Sequence, residues 1–132
     1  MVESELFSFS LMHLRTTRRL AEKYLDKCID IYGYSKFHDS TPYLEFQPYV
    51  HSVYTEDDNP EAEYIFDYNT IVIYYKNIQD AEHLAQTIVH EYQHYLQSPS
   101  WMTRYYNMGY NYSDHPYEVA AFKEESNFKM VI

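Results

Sequence analysis

Apolar residues recur at helical spacing in the first third of the chain. Between residues 11 and 32 they follow one another at intervals of three, four or seven positions. These positions are Leu14, Ala21, Leu25, Cys28 and Tyr32. Gly33 comes next, where a helix C-terminal cap is expected. The pattern predicts a long helix over residues 11–32.

The middle of the chain carries strand-like segments. In YLEFQPYVHSVY the apolar residues alternate irregularly, and Pro48 restricts any strand there to a sheet edge or a bulge. The acidic segment 55–63 contains Asn-Pro and is typical of an exposed loop. Beyond it, Tyr64–Asp67 and Thr70–Tyr75 are rich in β-forming residues, and the two residues between them predict a hairpin turn.

Helical spacing returns after residue 77. Asn77 or Asp80 can cap a helix that runs to about Gln97 and ends before Pro99. The aromatic connection that follows contains a short predicted helix at 101–106. A last helix begins near Ser113 or Asp114, with Pro116 in its first turn. This segregated order predicts a single α+β domain over residues 1–132.

Composition and charge narrow the class of protein. The 132 residues are 45 % hydrophobic, which fits one globular domain, and the net charge of −10 argues against nucleic acid as a partner. Cys28 is the only cysteine, so the fold must rest on packing or on a metal. We expect Cys28 to be buried and inert.

The N-terminal segment and the lengths of the apolar runs predict the cellular location of the protein. The N-terminal segment places acidic residues first and lacks the apolar region of a secretory signal, and no run is long enough for a membrane span. We therefore expect a cytoplasmic protein without membrane contact. The Tyr-, Asp- and Ile-rich, Gly-poor composition is typical of an AT-rich source such as a phage.

The segment TIVHEYQHYLQ, residues 87–97, contains the pattern H-E-x-x-H. On a helix, His90 and His94 project from one face, at a separation that one metal ion can bridge. Glu91 lies further round the helix, where it can hydrogen-bond a water on that metal. The pattern predicts two zinc ligands and a general base.

A catalytic zinc site needs a third protein ligand. The continuation x-x-Gly-x-x-His is absent after His94, which leaves Asp114, His115 and Glu118 as candidates. Glu118 is favoured because it lies about one turn into the last helix, and because Ala120 and Ala121 after it would let that helix pack closely on the motif helix. Asp114 is better explained as a helix cap.

His90, Glu91 and His94, followed by Glu118 twenty-four residues after His94, resemble the gluzincin branch of the zincin metallopeptidases, and in particular the very small minigluzincins. The segment PYEVAA departs from the Asn-Glu pair of thermolysin-like enzymes. The resemblance implies a minimal zincin-like domain: an N-terminal helix, a small, mainly antiparallel sheet, the motif helix and a C-terminal helix with the third ligand. It also implies a zinc endopeptidase, which we expect to be a monomer.

The resemblance also implies how a peptide or protein substrate is handled. Glu91 takes the proton of the attacking water, and a Tyr or His beyond the motif helix stabilises the oxyanion. The candidates for that donor are Tyr106, Tyr110, Tyr112 and His115. We predict Tyr112 and His115 as catalytic residues. An extended substrate would bind an edge strand, supplied by 64–67 or 70–75.

Two other hypotheses remain open on the sequence. Zinc could have a purely structural role, with His115 as a fourth ligand that closes the site, or the site could serve to bind a partner without catalysis. The chain could instead be a self-inhibited precursor, with ESELFSF or NFKMVI at its ends occupying the cleft.

Overall fold

The structure is a computed structural model that describes residues 9–48, 60–97 and 116–132. Within these ranges the chain forms three helices and a three-stranded sheet, so the predicted α+β class is confirmed. The elements in chain order are α1 (Phe9–Tyr32), β1 (Tyr43–Gln47), β2 (Ala62–Ile65), β3 (Thr70–Tyr74), α2 (Ala81–Leu96) and α3 (Pro116–Glu125). Short 3-10 turns lie at Phe66–Tyr68, Tyr75–Asn77 and Phe128–Met130.

Helix α1 ends where its sequence predicts. Gly33 has a φ of 79° and donates its N–H to the Ile29 carbonyl at 2.9 Å, which is a glycine-capped helix end. Ala21 and Cys28 are fully buried, but Leu14 is 37 % exposed. Leu14 lies seven residues before Ala21, which belongs to the core cluster.

The strand order is β1-β3-β2, with β1 parallel and β2 antiparallel to β3. The prediction of a mainly antiparallel sheet was therefore wrong: β1 and β2 pair with opposite sides of β3, and only the β2–β3 pair is antiparallel. That hairpin is confirmed with shifted bounds. Strand β2 begins at Ala62, inside the predicted loop, and residues 66–68 form a 3-10 turn that Asn69 closes at a φ of 48°.

The sheet order decides which strands are edges. Strand β3 is central, so the segment 70–75 cannot be the substrate-binding edge. Among the described strands, β1 and β2 are the edges. Strand β1 ends at Gln47, directly before Pro48, as expected for a proline that can occupy only an edge or a bulge.

Helix α2 runs through the middle of the core. The Asp80 carboxylate caps it by accepting the His83 N–H at 2.8 Å, whereas Asn77 donates to the Pro60 carbonyl. Of its 16 residues, 11 are buried, so α2 contacts other parts of the chain on most sides. The core side chains come from α1, β3 and α2, and include Ala21, Cys28, Ile71, Ile73, Leu84, Ile88, Val89, Tyr92 and Tyr95.

Helix α3 begins at Pro116 and packs on α2. Ala121 is fully buried, as expected for close packing between these helices, but Ala120 is exposed. The expectation for Ala120 was wrong because Ala121, three residues after Glu118, shares the α2-facing side and its neighbour does not. The predicted helix at 101–106 and the predicted caps Ser113 and Asp114 lie outside the described residues. None of the helices in the described ranges is long and apolar enough to cross a membrane.

Candidate metal centre

His90 and His94 extend from the same side of α2, as their four-residue spacing predicts. Their ring centroids are 5.0 Å apart, and the two residues are only 6 % and 5 % exposed. The Nε2 atoms of His90 and His94 lie 2.9 Å and 3.2 Å from Glu118 Oε1. The structure therefore brings the two motif histidines and the predicted third ligand together at one carboxylate oxygen.

The three residues are close enough to hold a metal ion. Their ligand atoms all lie within 4.8 Å of one another, and all three residues are buried. Two ligand atoms at about 2.1 Å from a tetrahedral ion are roughly 3.4 Å apart. The observed contacts of 2.9 Å and 3.2 Å thus need only a small expansion to admit an ion.

The other ring nitrogen of each histidine also has a partner. His90 Nδ1 lies 2.6 Å from Glu125 Oε2, and His94 Nδ1 lies 2.8 Å from Gln97 Oε1. An oxygen acceptor at Nδ1 keeps the proton there and leaves Nε2 free to bind a metal. These two residues were not predicted, although Glu125 comes seven residues after Glu118 on the same helix face, which was an available signal.

Helix α3 contacts the His90 ring through three residues of one face. Glu118 and Glu125 bind its two nitrogens, and the Phe122 ring packs edge-on against it at a centroid distance of 4.6 Å. These positions are spaced at i, i+4 and i+7, so a single helical stripe fixes the orientation of the ring. His90 is consequently oriented before any metal binds.

The electrostatics of the cluster follow from burial and from these pairings. Burial lowers the pKa of His90, but hydrogen bonds with Glu118 and Glu125 outweigh it and raise this pKa to about 10. Burial likewise opposes the charged form of Glu118, yet hydrogen bonds from both histidines lower its pKa to about 2. The pKa of His94 is also raised, because its bond to Glu118 outweighs burial. The metal-free cluster is thus a carboxylate held between protonated imidazoles.

Glu91 occupies a different position in the same site. It is 6 % exposed, and no described residue donates a hydrogen bond to its carboxylate. Burial raises the pKa of this carboxyl, while the neighbouring charges of His94 and His90 oppose the rise. An ionised Glu91 would therefore accept a proton more readily than an exposed glutamate.

Glu91 and His90 line a recess of about 270 Å³. The other described residues in its wall come from the segment before and at the start of β2, from α2 and from α3. They are Pro60, Glu61, Ala62, His83, Gln86, Thr87, Phe122 and Glu125. The recess thus adjoins one predicted metal ligand, His90, and the predicted general base, Glu91.

The predicted oxyanion donors and the alternative third ligands share one outcome. Tyr106, Tyr110, Tyr112, Asp114 and His115 lie outside the described residues, so the oxyanion donor and the alternative ligands stay predictions.

Two histidines outside the cluster, His38 and His83, and the cysteine also have contacts in the described part of the chain. His38 Nε2 lies 2.8 Å from the Tyr64 hydroxyl and its ring stacks on Tyr95. His83 is outside the metal cluster and pairs with Glu61. Cys28 is buried as predicted, and burial raises the pKa of its thiol to about 12, which makes it inert.

The C-terminal segment packs against the core. Val131 is fully buried and belongs to the core cluster. No residue from 127 to 132 is among the described residues that line the recess.

Comparisons with known proteins found no relative. No protein-family model matches the chain, and searches of curated proteins and of solved structures gave no match.

Proposed function

We propose that this protein is a zinc-dependent endopeptidase. The observation that carries the proposal is the cluster of His90, His94 and Glu118. Its member His90 lines one recess together with the buried carboxylate of Glu91. Two imidazoles and one carboxylate, with room for water, are the donor set of catalytic zinc sites. A purely structural site has no need for the fourth residue, Glu91.

A bound zinc ion would supply a Lewis acid that polarises water and the substrate carbonyl. The residues of the chain have separate roles. His90, His94 and Glu118 would hold the ion, with the ring of His90 oriented by Glu125. Glu91 would accept the proton of the attacking water and pass it to the leaving amine, a role that its burial supports.

The rest of the catalytic assignment rests on the resemblance to gluzincins. A minimal gluzincin-like domain would place an oxyanion donor beyond the motif helix, and Tyr112 and His115 are the proposed donors. An extended peptide would add to an edge strand by main-chain hydrogen bonds. Strand β2, an edge of the sheet among the described strands, is the proposed binding strand, since it follows directly on Glu61 in the recess wall.

The substitution Glu91→Gln tests the mechanism. It preserves side-chain size and removes the basic carboxylate, so we expect stoichiometric zinc and a loss of peptide hydrolysis of roughly 10²–10⁴-fold. Zinc content is measured by elemental analysis and turnover with a mixture of unstructured peptides. Glu82→Gln is the matched control, because Glu82 lies on the same helix, is exposed and does not line the recess. Unimpaired turnover in Glu91→Gln, with zinc bound, would refute the proposal.

A structural zinc site is the second candidate function. The burial of all three ligands, which join α2 to α3, favours it. In that case the wild-type protein would bind zinc and gain stability without hydrolysing any peptide, and Glu91→Gln would leave zinc content and stability unchanged. A self-inhibited precursor would also be silent as purified, but removal of residues 1–8 would then release activity.

A further inference from the structure

Strand β1 leaves one side of its main chain without a partner among the described strands. It lies at the end of the sheet order, where it pairs with β3. The Tyr43 N–H donates to the Asn69 carbonyl at 2.9 Å, so the main chain of Tyr43 faces β3. Because successive residues of a strand direct their N–H and C=O groups to opposite sides, the main chains of Leu44 and Phe46 point to the open edge. These groups are in position to pair with another strand.

Side chains on both faces of β1 lie next to this open edge. Leu44 and Phe46 pack against the core cluster on the helix side of the sheet. Tyr43 alternates with Leu44 and therefore lies on the other face, where it is 62 % exposed. An exposed aromatic ring at an open edge can pack against a side chain of an added strand. The edge thus offers apolar contact in addition to main-chain hydrogen bonds.

A groove runs beside this edge, with helix α1 as its other wall. One part, of about 630 Å³, lies between α1 and residues 42–46. A second part, of about 400 Å³, continues along α1. The two parts share Arg18 and Glu22, so they form one depression. The other residues that line it from α1 are Leu14, Arg15, Arg19 and Leu25. A segment that pairs with the open edge of β1 would therefore lie against α1.

The part of the groove along α1 is basic, although the chain as a whole has a net charge of −10. Arg15, Arg18 and Arg19 line it, against one carboxylate, that of Glu22. None of the ion pairs formed within the described ranges includes these arginines. The Arg18 guanidinium lies over the Phe46 ring, 5.1 Å from its centroid, which places one positive charge beside β1. The arginines can therefore pair with an anionic partner.

We propose that the open edge of β1 binds an extended, acidic segment of a partner protein, which adds to the sheet as a further strand and pairs its carboxylates with the three arginines of α1. Leu44 and Phe46 would supply the main-chain hydrogen bonds. Every second side chain of the segment would face α1, where the arginines lie. Glu45 also borders the groove, but it alternates with Phe46 and so belongs to the other face of the sheet, where Gln47 donates to it at 3.0 Å.

Two observations favour a peptide over a nucleic acid as the partner. An open strand edge pairs with an extended polypeptide through main-chain groups that a nucleic acid lacks. A chain with a net charge of −10 also lacks the concentrated positive surface that phosphate backbones require. The groove shares no residue with the metal cluster or with the recess beside it, so this interaction is separate from the proposed peptidase site.

Fluorescence anisotropy with labelled decapeptides tests the proposal on the wild-type protein. The first probe alternates valine with glutamate, and its two counterparts carry glutamine or lysine in place of glutamate. At about 0.15 M salt, charges more than about 8 Å away are largely screened, so the net charge of the protein has little influence. The acidic probe should bind about tenfold or more tightly than the glutamine probe, because each exposed ion pair is worth up to about fivefold in affinity. A labelled oligothymidine of similar length tests the nucleic-acid alternative.

Substitutions in α1 assign the charge preference to the groove. Arg15→Gln combined with Arg18→Gln should weaken binding of the acidic probe by roughly tenfold, since two exposed ion pairs are lost. Both residues are exposed, and glutamine is a good helix former. Lys36→Gln combined with Lys129→Gln removes the same charge from exposed positions outside the groove and should leave the affinity unchanged.

A second pair of variants tests the strand edge. Leu44→Pro removes an N–H from the open edge but none of the groups that pair with β3, as is tolerated for proline in edge strands. Leu44→Ala is its control, because it loses the same side chain and keeps the N–H. Leu44→Pro should bind the acidic probe about tenfold or more weakly than Leu44→Ala. Circular dichroism establishes that both variants are folded, and the arginine variants decide the proposal if Leu44→Pro is not.

Four results would overturn the proposal. They are equal affinity for the acidic and lysine probes, binding of none of the peptides, binding of oligothymidine at least as tight as that of the acidic probe, and equal binding by folded Leu44→Pro and Leu44→Ala. Mass spectrometry of the same samples detects any hydrolysis of the probes. Hydrolysis or its absence concerns the peptidase alone, because the two sites have no residue in common.

Discussion

The apparent affinity for zinc should rise steeply with pH. The metal-free protein has a His90 pKa of about 10, raised by the hydrogen bonds with Glu118 and Glu125 in spite of burial. Since this folded pKa lies above neutral pH, His90 is protonated there and a metal must displace that proton. Displacement at about pH 7 costs roughly 4 kcal/mol, because each pH unit below the pKa is worth about 1.4 kcal/mol.

This cost disappears as the pH approaches the pKa, so the apparent zinc affinity increases about tenfold per pH unit for the one proton on His90. The pKa of His94 is also raised, by its hydrogen bond with Glu118 in spite of burial, so displacement of its proton steepens the dependence further. Glu118 does not contribute in this range, because its pKa of about 2 leaves it ionised throughout.

Competition with a chelator of known pH dependence measures the affinity between about pH 6.5 and pH 8.5. Calorimetry in buffers of different ionisation enthalpy counts the protons released at each pH. Release of one to two protons, together with the corresponding slope, is the expected result. An affinity that is constant over this range would show that His90 is neutral without metal, and the charge assignment for the cluster would then be incorrect.

Two further substitutions test the pairing of His90 and the packing of α2. Glu125→Gln weakens an interaction that raises the pKa of His90, so the rise of zinc affinity with pH should level off at a lower pH than in the wild type. Glu124→Gln, on the same helix with its carboxylate bound to Tyr32 instead, should keep the wild-type pH dependence. The same pH dependence in the two variants would contradict the Glu125–His90 pairing. Leu84→Ala leaves a cavity at a fully buried position and should lower the free energy of unfolding, measured in urea, by about 2–5 kcal/mol. Leu14→Ala, at an exposed position, should lower it by roughly 1 kcal/mol or less. Similar losses in the two variants would contradict this boundary of the core.

The helices of this fold were the part most accessible to sequence reasoning. Helix α1 ends at Gly33 because a left-handed residue is needed there, and Asp80 begins α2 because its carboxylate binds a free N–H. Both signals are local, so they can be read without knowledge of the fold. The sheet order is not local, because Tyr43 of β1 pairs with Thr70 of β3, far along the chain.

The metal centre shows the same division. His90, Glu91 and His94 form a local pattern on one helix, and Glu118 could be predicted because few downstream residues can ligate zinc. Glu125 was missed because its importance depends on how α3 is rotated against α2, which places positions 118 and 125 on opposite nitrogens of one ring. Glu61 was missed for a similar reason, since only the folded chain brings it to the His83 ring.

The ion pairs of the metal-free cluster affect the free energy of metal binding. Glu118 is 2 % exposed and would be strongly destabilising as an isolated charge, so its pairing with two imidazoles is what permits α3 to pack on α2 without metal. A metal ion that replaces the imidazole protons takes over this compensation and needs little rearrangement, because the Nδ1 partners of both histidines already orient the rings. The main free-energy cost of metal binding is then the displacement of the imidazole protons, and the cost of ordering the chain is smaller. It follows that the metal-free protein should remain folded at neutral pH, unlike small zinc domains whose structure forms only with the ion.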